Sequence, residues 1–220
     1  MEINKFYING EWVTPYGSEK IDIYNPATEE KVGHVVSGSK KDVNAAVEAA
    51  NNAFVLASRL SLEDRKQILQ EILDGMMERK TDFAQAISQE MGAPLKMAAG
   101  AQFGSGTIHF KNTLAVINDF KFQEIHDNIT INRLPIGPVG MITPWNWPLN
   151  QMCTKMASAI AAGTSFVIKP SEITPSAAQI LAEIVDQTSL PKGMFNLIHG
   201  YGHVVGRAMS RHKDLEMISF

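Results

Sequence analysis

Cysteine is nearly absent: Cys153 is the only one in 220 residues. A single cysteine cannot close a disulfide within the chain, so the simplest setting is a reducing, cytoplasmic one. Long apolar runs are missing as well. No stretch reaches the roughly 18 residues of a membrane-spanning helix. The opening Met1-Glu2-Ile3-Asn4-Lys5 is too polar for a secretory signal. Blocks of like charge are lacking, and the net charge is only −3. Neither a nucleic-acid-binding basic patch nor a charged tail is expected. With 45% hydrophobic residues, a chain of this length can bury a real core.

The N-terminal part reads as strands and then helices. Asn9-Gly10 lies inside FYINGEW (residues 6–12). Both residues tolerate positive φ, which predicts a tight hairpin. Residues 21–24 alternate and meet Asn25-Pro26, a strand followed by a turn. Together these pieces predict a small N-terminal strand layer. Ser39 to Asp42 and Ser61 to Asp64 are capping-box patterns, and each precedes an apolar helical face. A third helix, near residues 82–91, is expected to stop at Gly92 with Pro94 just beyond. A longer helical pattern runs from about Leu95 to Ile117, weakened by Gly100, Gly104 and Gly106. Residues 119–134 then alternate on either side of His126-Asp127-Asn128, which predicts a hairpin with exposed apolar residues and suggests a subunit contact.

From Pro138 the pattern becomes strand, helix, strand, helix. Apolar runs at 139–143, 165–168, 195–198 and 217–220 alternate with helical patterns: one that starts at Pro148 and turns Leu149, Met152, Cys153, Met156 and Ile160 inward, then 175–188 and 203–210. This alternation predicts a doubly wound parallel α/β sheet. The expected organisation is N-terminal strands and helices over 1–118, a protruding β-hairpin over 119–136, and βαβ units over 137–220.

Three segments fall where such sheets bind ligands, beyond the carboxyl ends of strands. The first is Ile142-Thr143-Pro144-Trp145-Asn146-Trp147-Pro148. Asn146 offers a neutral side-chain donor suited to an oxyanion. By position alone, Asn146 reads first as a turn or capping residue. The second is Lys169-Pro170-Ser171-Glu172. A carboxylate here can accept ribose hydroxyls and a lysine can donate to ribose or phosphate, but a solvated pair at a helix start fits equally. The third is Gly200 to Gly206, whose glycine spacing departs from the dinucleotide fingerprint. Gly202, His203 and Gly206 still permit close backbone approach at a helix start.

Other features read as structural. Cys153 falls on the apolar face of a helix, with nothing cationic placed to form its thiolate. His199 and His203 lack a nearby carboxylate, which argues against a metal site. Tyr16 and Lys20 have the spacing of a short-chain dehydrogenase pair, but they lie in a probable loop where their side chains need not converge.

Taken together, the chain resembles the NAD(P)-dependent aldehyde dehydrogenase superfamily along its whole length. The resemblance rests on Tyr7-Ile8-Asn9-Gly10-Glu11-Trp12, Asn25-Pro26-Ala27-Thr28, Glu90-Met91-Gly92-Ala93-Pro94, Pro138-Val139-Gly140, Thr143 to Pro148, Ala161-Ala162-Gly163, Lys169 to Glu172 and Pro191-Lys192-Gly193, in this order. It implies the family's chemistry. A cysteine thiolate attacks the aldehyde, an asparagine matching Asn146 holds the oxyanion, reducing equivalents pass to the nicotinamide, and a glutamate-activated water releases the acid. Ile142, Thr143, Pro144 and Trp145 then fall beside the nicotinamide-proximal region. Lys169, Pro170, Ser171 and Glu172 fall at the adenosine ribose, and Gly202, His203 and Gly206 toward adenine and pyrophosphate. Phe220 precedes a phosphate-contacting turn. Glu172 favours NAD, with NADP also possible.

The family's nucleophilic cysteine and general-base glutamate correspond to positions beyond Phe220, and Cys153 does not match the nucleophile. The resemblance therefore implies an N-terminal, cofactor-binding portion, incomplete as a fold and inactive alone. The partners it implies are an aldehyde and further copies of the chain, with neither nucleic acid nor membrane. A non-catalytic nucleotide-binding module is the alternative.

Overall fold

Asn9 (φ 55°) and Gly10 (φ 74°) both adopt the left-handed conformation, and they close the first hairpin. The computed structural model describes residues 2–220. Strands β1 (Glu2–Ile3), β2 (Phe6–Ile8), β3 (Glu11–Val13), β4 (Lys20–Tyr24) and β5 (Lys31–Val36) come first. Helices α1 (Lys40–Ala57), α2 (Leu62–Glu78), α3 (Lys80–Met91) and the short α4 (Leu95–Met97) follow. A π-helical turn, Ala98–Gln102, leads into α5 (Phe103–Val116), and β6 (Gln123–His126) and β7 (Ile129–Asn132) form the second hairpin. The remaining elements are β8 (Val139–Ile142), α6 (Pro148–Ala162), β9 (Phe166–Lys169), α7 (Ser176–Val185), β10 (Phe195–Leu197), a π-helical turn at Gly202–Gly206, α8 (Arg207–Ser210) and β11 (Met217–Ser219).

The central sheet has the order β11-β8-β9-β10-β2-β3. Its first four strands are mutually parallel. The parallel sheet expected from the βαβ pattern is present, and β2 and β3 extend it, β2 antiparallel to β10 and β3 antiparallel to β2. One expectation needs correction. The N-terminal strand layer is divided: β2 and β3 extend the central sheet, while β1, β5 and β4 form a separate three-stranded sheet. The division follows from long-range hydrogen bonds. Asn196 accepts the Asn9 N–H at 3.0 Å and Asp186 accepts both the Tyr7 hydroxyl (2.9 Å) and the Trp12 indole N–H (3.2 Å), so the first hairpin is fastened to the far edge of the βαβ units.

Alternation along the strands supplies two cores. Phe166, Ile168, Val139, Met141, Phe195 and Leu197 face one side with α2, α3, α5, α6 and α7. Val167, Phe6, Ile8 and Ile198 face the other side with α1, Val205 and Met209. Helices therefore cover both faces, as a doubly wound sheet requires. Both predicted capping boxes form, at Ser39/Asp42 and Ser61/Asp64. Gly92 ends α3 in the left-handed conformation. The long pattern after Leu95 is helical, but a π turn interrupts it where glycines cluster. The second hairpin leaves Ile125, Ile129 and Ile131 exposed. Among the described residues, no helix is long and apolar enough to cross a membrane.

Candidate functional site

The site is built where β8, β9 and β10 end together. Ile142 pairs with Lys169, and the Thr143 N–H donates to the Lys169 carbonyl at 3.1 Å. Leu197 pairs with Ile168 one strand further on. Three connections therefore leave the sheet side by side: Thr143–Trp147 into α6, Pro170–Pro175 into α7, and Ile198–Tyr201 into the second π turn. Pro148 occupies the first turn of α6, where its missing N–H costs nothing.

Lys169 anchors the middle of this edge. Its side chain is almost wholly buried, and Nζ donates to the Pro170 carbonyl (2.7 Å) and to Glu172 Oε2 (3.0 Å). Burial pulls the ammonium below the ordinary lysine range, against the opposing pull of Glu172. Glu172 stays partly open to solvent. Ser171 shapes the loop, accepting the Ile173 N–H at 3.2 Å.

The third connection closes on the same point. A Cβ built at Gly206 lies 3.7 Å from Ile142 Cδ1 and 3.9 Å from Lys169 Cδ, while one at Gly202 meets nothing within 4 Å. The start of this helical segment thus presents bare backbone at Gly202, and its far end packs Gly206 beside Ile142 and Lys169. His203 is exposed and stacks on Tyr201, with ring centroids 5.2 Å apart. Phe220 is 92% exposed and follows Ser219, the partner of Met141 across β11 and β8.

Asn146 lies exposed at the crest of the first connection. The protein holds its backbone and leaves its side-chain amide without a hydrogen bond among the described residues. Trp145 beside it is half-exposed, and its carbonyl accepts the Thr174 hydroxyl at 3.4 Å, which ties the first connection to the second. Pro144 is exposed, whereas Thr143 is buried with an unpartnered Oγ1.

Sequence reasoning missed two supporting residues. Gln102 is fully buried, and its amide reaches the Asn146 carbonyl at 3.3 Å. Glu90 is buried at the end of α3, and its carboxyl accepts the Ser176 N–H (3.0 Å) and pairs with the Ser176 hydroxyl at the start of α7. Burial pushes its pKa up to about 7, against the lowering effect of the Ser176 hydrogen bonds. The available signal was a polar residue at each otherwise apolar helical position.

Of the residues read as structural, His199 sits within the third connection and feels the Lys169 charge, whereas Cys153, Tyr16 and Lys20 lie on other elements. Cys153 is sealed in the core, and burial pushes its thiol far above the ordinary range. His199 is fully buried with both ring nitrogens unpartnered, and burial, reinforced by the Lys169 charge, lowers its pKa to about 3. Tyr16 is exposed and faces Lys41, whose Nζ lies 5.8 Å from the ring centroid, and Lys20 opens β4 instead. A hollow of about 740 Å³ lies between α1 and α8, but Asn146, Lys169 and Glu172 do not line it.

The model of the aldehyde dehydrogenase family matches residues 12–220. This chain belongs to the aldehyde dehydrogenase family. A Staphylococcus haemolyticus protein named as an aldehyde dehydrogenase is 44% identical over 214 residues, which is 97% of this chain and 45% of that protein. The crystal structure of aldehyde dehydrogenase from Bartonella henselae superimposes with a TM-score of 0.97 at 42% identity, covering 100% of this chain and 47% of that one. A mutant of aldehyde dehydrogenase C from Pseudomonas syringae, solved with NAD+ and octanal, gives a TM-score of 0.96 at 45% identity, over 98% of this chain and 44% of that one. The chain therefore spans less than half the length of the relatives it matches.

Proposed function

We propose that this chain is the cofactor-binding portion of an enzyme that oxidises an aldehyde to a carboxylic acid with NAD+, and that Asn146 is its oxyanion donor. The observation that carries the reading is the convergence of Lys169, Glu172 and Gly206 beside Ile142, one connection away from a free Asn146 amide. Relatives of the same fold are solved with NAD+.

The residues fit a dinucleotide. Glu172 and Lys169 stand ready for ribose hydroxyls, with Pro170 and Ser171 shaping their loop. Gly202 offers uncovered backbone at a helical start, where N–H groups favour phosphate, Gly206 lies buried at the far end of that turn, and His203 borders it. Ile142, Thr143, Pro144 and Trp145 would flank the nicotinamide end, with Phe220 at the neighbouring strand. Bound there, NAD+ supplies the two-electron acceptor. The Glu172 carboxylate repels a 2′-phosphate, so NAD is preferred over NADP.

Asn146 contributes through its side-chain N–H₂. An aldehyde oxygen that gains negative charge needs a donor that is already in place, and a neutral amide donates without competing for a proton. The thiolate and general base of this chemistry are not supplied by these residues, because Cys153 is buried and protonated. The chain alone is thus expected to bind nucleotide without turnover. Cys153 also fits a reducing, cytoplasmic setting. The β6–β7 arm with its exposed isoleucines is proposed as a contact between copies, appended to a cofactor-binding body formed by residues 1–118 and 137–220.

The test is absorbance of NADH when the chain meets NAD+ and aliphatic or aromatic aldehydes. Binding without NADH formation is expected. Aldehyde-dependent NADH that survives Cys153→Ala would overturn the account of the missing thiol, and its loss in Cys153→Ala would restore a catalytic role to Cys153.

A further inference from the structure

Gln102 closes the π-helical turn before α5 and has no exposed surface. Its Nε2 donates to the Asn146 carbonyl and to Met91 Sδ, each at 3.3 Å. These two acceptors fix the amide's orientation. Turned over, Oε1 would face a carbonyl oxygen and a thioether, neither of which can donate. As placed, Oε1 is buried without a partner. An unpaired buried acceptor is unfavourable, and an apolar side chain of similar size would avoid that cost.

Gln102 lies at helical spacing in line with a polar row on α5. Three residues on, the Ser105 carbonyl accepts from Asn150 Nδ2 at 3.2 Å. His109 continues the row, its Nε2 buried without a partner. Between them Gly106 lets Leu149 approach so closely that a Cβ there would lie 2.6 Å from Leu149 Cγ. One face of this helix therefore grips the first connection and the first turn of α6. Gln102 is the member that reaches the backbone of Asn146 itself.

We propose that Gln102 is a positioning residue for Asn146: its amide fixes the Asn146 peptide and so aims the Asn146 side chain. This rests on the oxyanion reading of Asn146 given above. Gln102 acts through the loop and touches neither aldehyde nor cofactor.

Hydrogen exchange of the amides of residues 145–147 reads the positioning directly in this chain. Gln102→Leu is expected to raise exchange there about tenfold, a loss of protection worth one hydrogen bond, while β8 and β9 stay protected. Gln102→Glu guards against a folding defect. Its buried carboxyl can donate to the Asn146 carbonyl only when protonated, so protection relative to the parent chain should return as pH falls. Unchanged exchange in Gln102→Leu, or a Gln102→Glu chain indifferent to pH, overturns the proposal. In the complete aldehyde-oxidising protein, Gln102→Leu should lower kcat about 10- to 100-fold with KM for NAD+ unchanged. It should add nothing to Asn146→Ala, and additive losses would contradict it. Failure of the oxyanion reading is visible separately, as an unchanged rate in Asn146→Ala with the exchange effect of Gln102→Leu intact.

Discussion

Lys169 Nζ lies 3.0 Å from Glu172 Oε2 across one turn of the β9–α7 connection, with the lysine buried and the glutamate partly open. The pair holds a carboxylate at the mouth of the proposed cofactor site. Removing the charge while keeping the shape should therefore change which nucleotide is accepted. Glu172→Gln is expected to raise NADP+ affinity relative to NAD+ by about tenfold, or about 1.4 kcal/mol. Parallel fluorescence titrations with the two nucleotides check this, and an unchanged ratio would remove Glu172 from cofactor choice.

Asn146→Ala takes away the proposed oxyanion donor without touching the cofactor residues. In the complete protein kcat should fall about 10²- to 10³-fold, with NAD+ affinity nearly constant. Steady-state kinetics beside a binding titration separates the two effects.

Glu90 gives stability a pH dependence. Burial raises its pKa from 4.5 to about 7. The folded chain therefore holds this proton over a range in which the unfolded chain has released it. Its contribution is fully present below pH 4.5 and is lost as pH rises through about 7. The change is on the order of 3 kcal/mol. Glu90→Gln keeps a donor and an acceptor for Ser176 and removes the charge. Denaturant melts from pH 4.5 to 8 should show the slope in the parent chain and a flatter profile with higher stability near pH 8 in Glu90→Gln.

Gly106 lets α5 and α6 meet. A Cβ there would lie 2.6 Å from Leu149 Cγ and 2.9 Å from Leu149 Cδ2. Overpacking of this kind costs about 1–3 kcal/mol, set against a helix-propensity gain of about 1 kcal/mol. Gly106→Ala should lower the melting temperature, and adding Leu149→Ala should make the two changes non-additive.

The second hairpin offers Ile125 (70% exposed) and Ile129 (61% exposed) to a partner. Replacing both by lysine should shift the chain toward monomer in sedimentation or light scattering. An unchanged mass would remove the hairpin from assembly.

Much of this architecture was legible in the sequence, and the reason is local. Each strand from Val139 onward is a short apolar run that a helical pattern separates from the next. Asn9-Gly10, Ser39/Asp42, Ser61/Asp64 and Gly92 each specify their own turn or cap through side chains only a few residues apart. The rest depends on distant partners. β5 escaped notice because Gly33 and His34 interrupt its apolar pattern, and it becomes a strand by pairing with β4 and β1. Nothing near Phe6 announces that β2 will join β10, a pairing secured by Asn196 and Asp186. The π turns carry no composition of their own beyond the glycines around them. The residues proposed at the site lay on recognisable strand ends, whereas Gln102 and Glu90 support them across 44 and 86 positions of sequence.

The most direct measurement is isothermal titration of NAD+ into the chain and into Lys169→Met and Gly206→Val. Saturable one-to-one binding that weakens at least about tenfold in both variants, with their folds intact, is the predicted result. Binding that is indifferent to both substitutions would contradict the assignment of this sheet edge as the cofactor site.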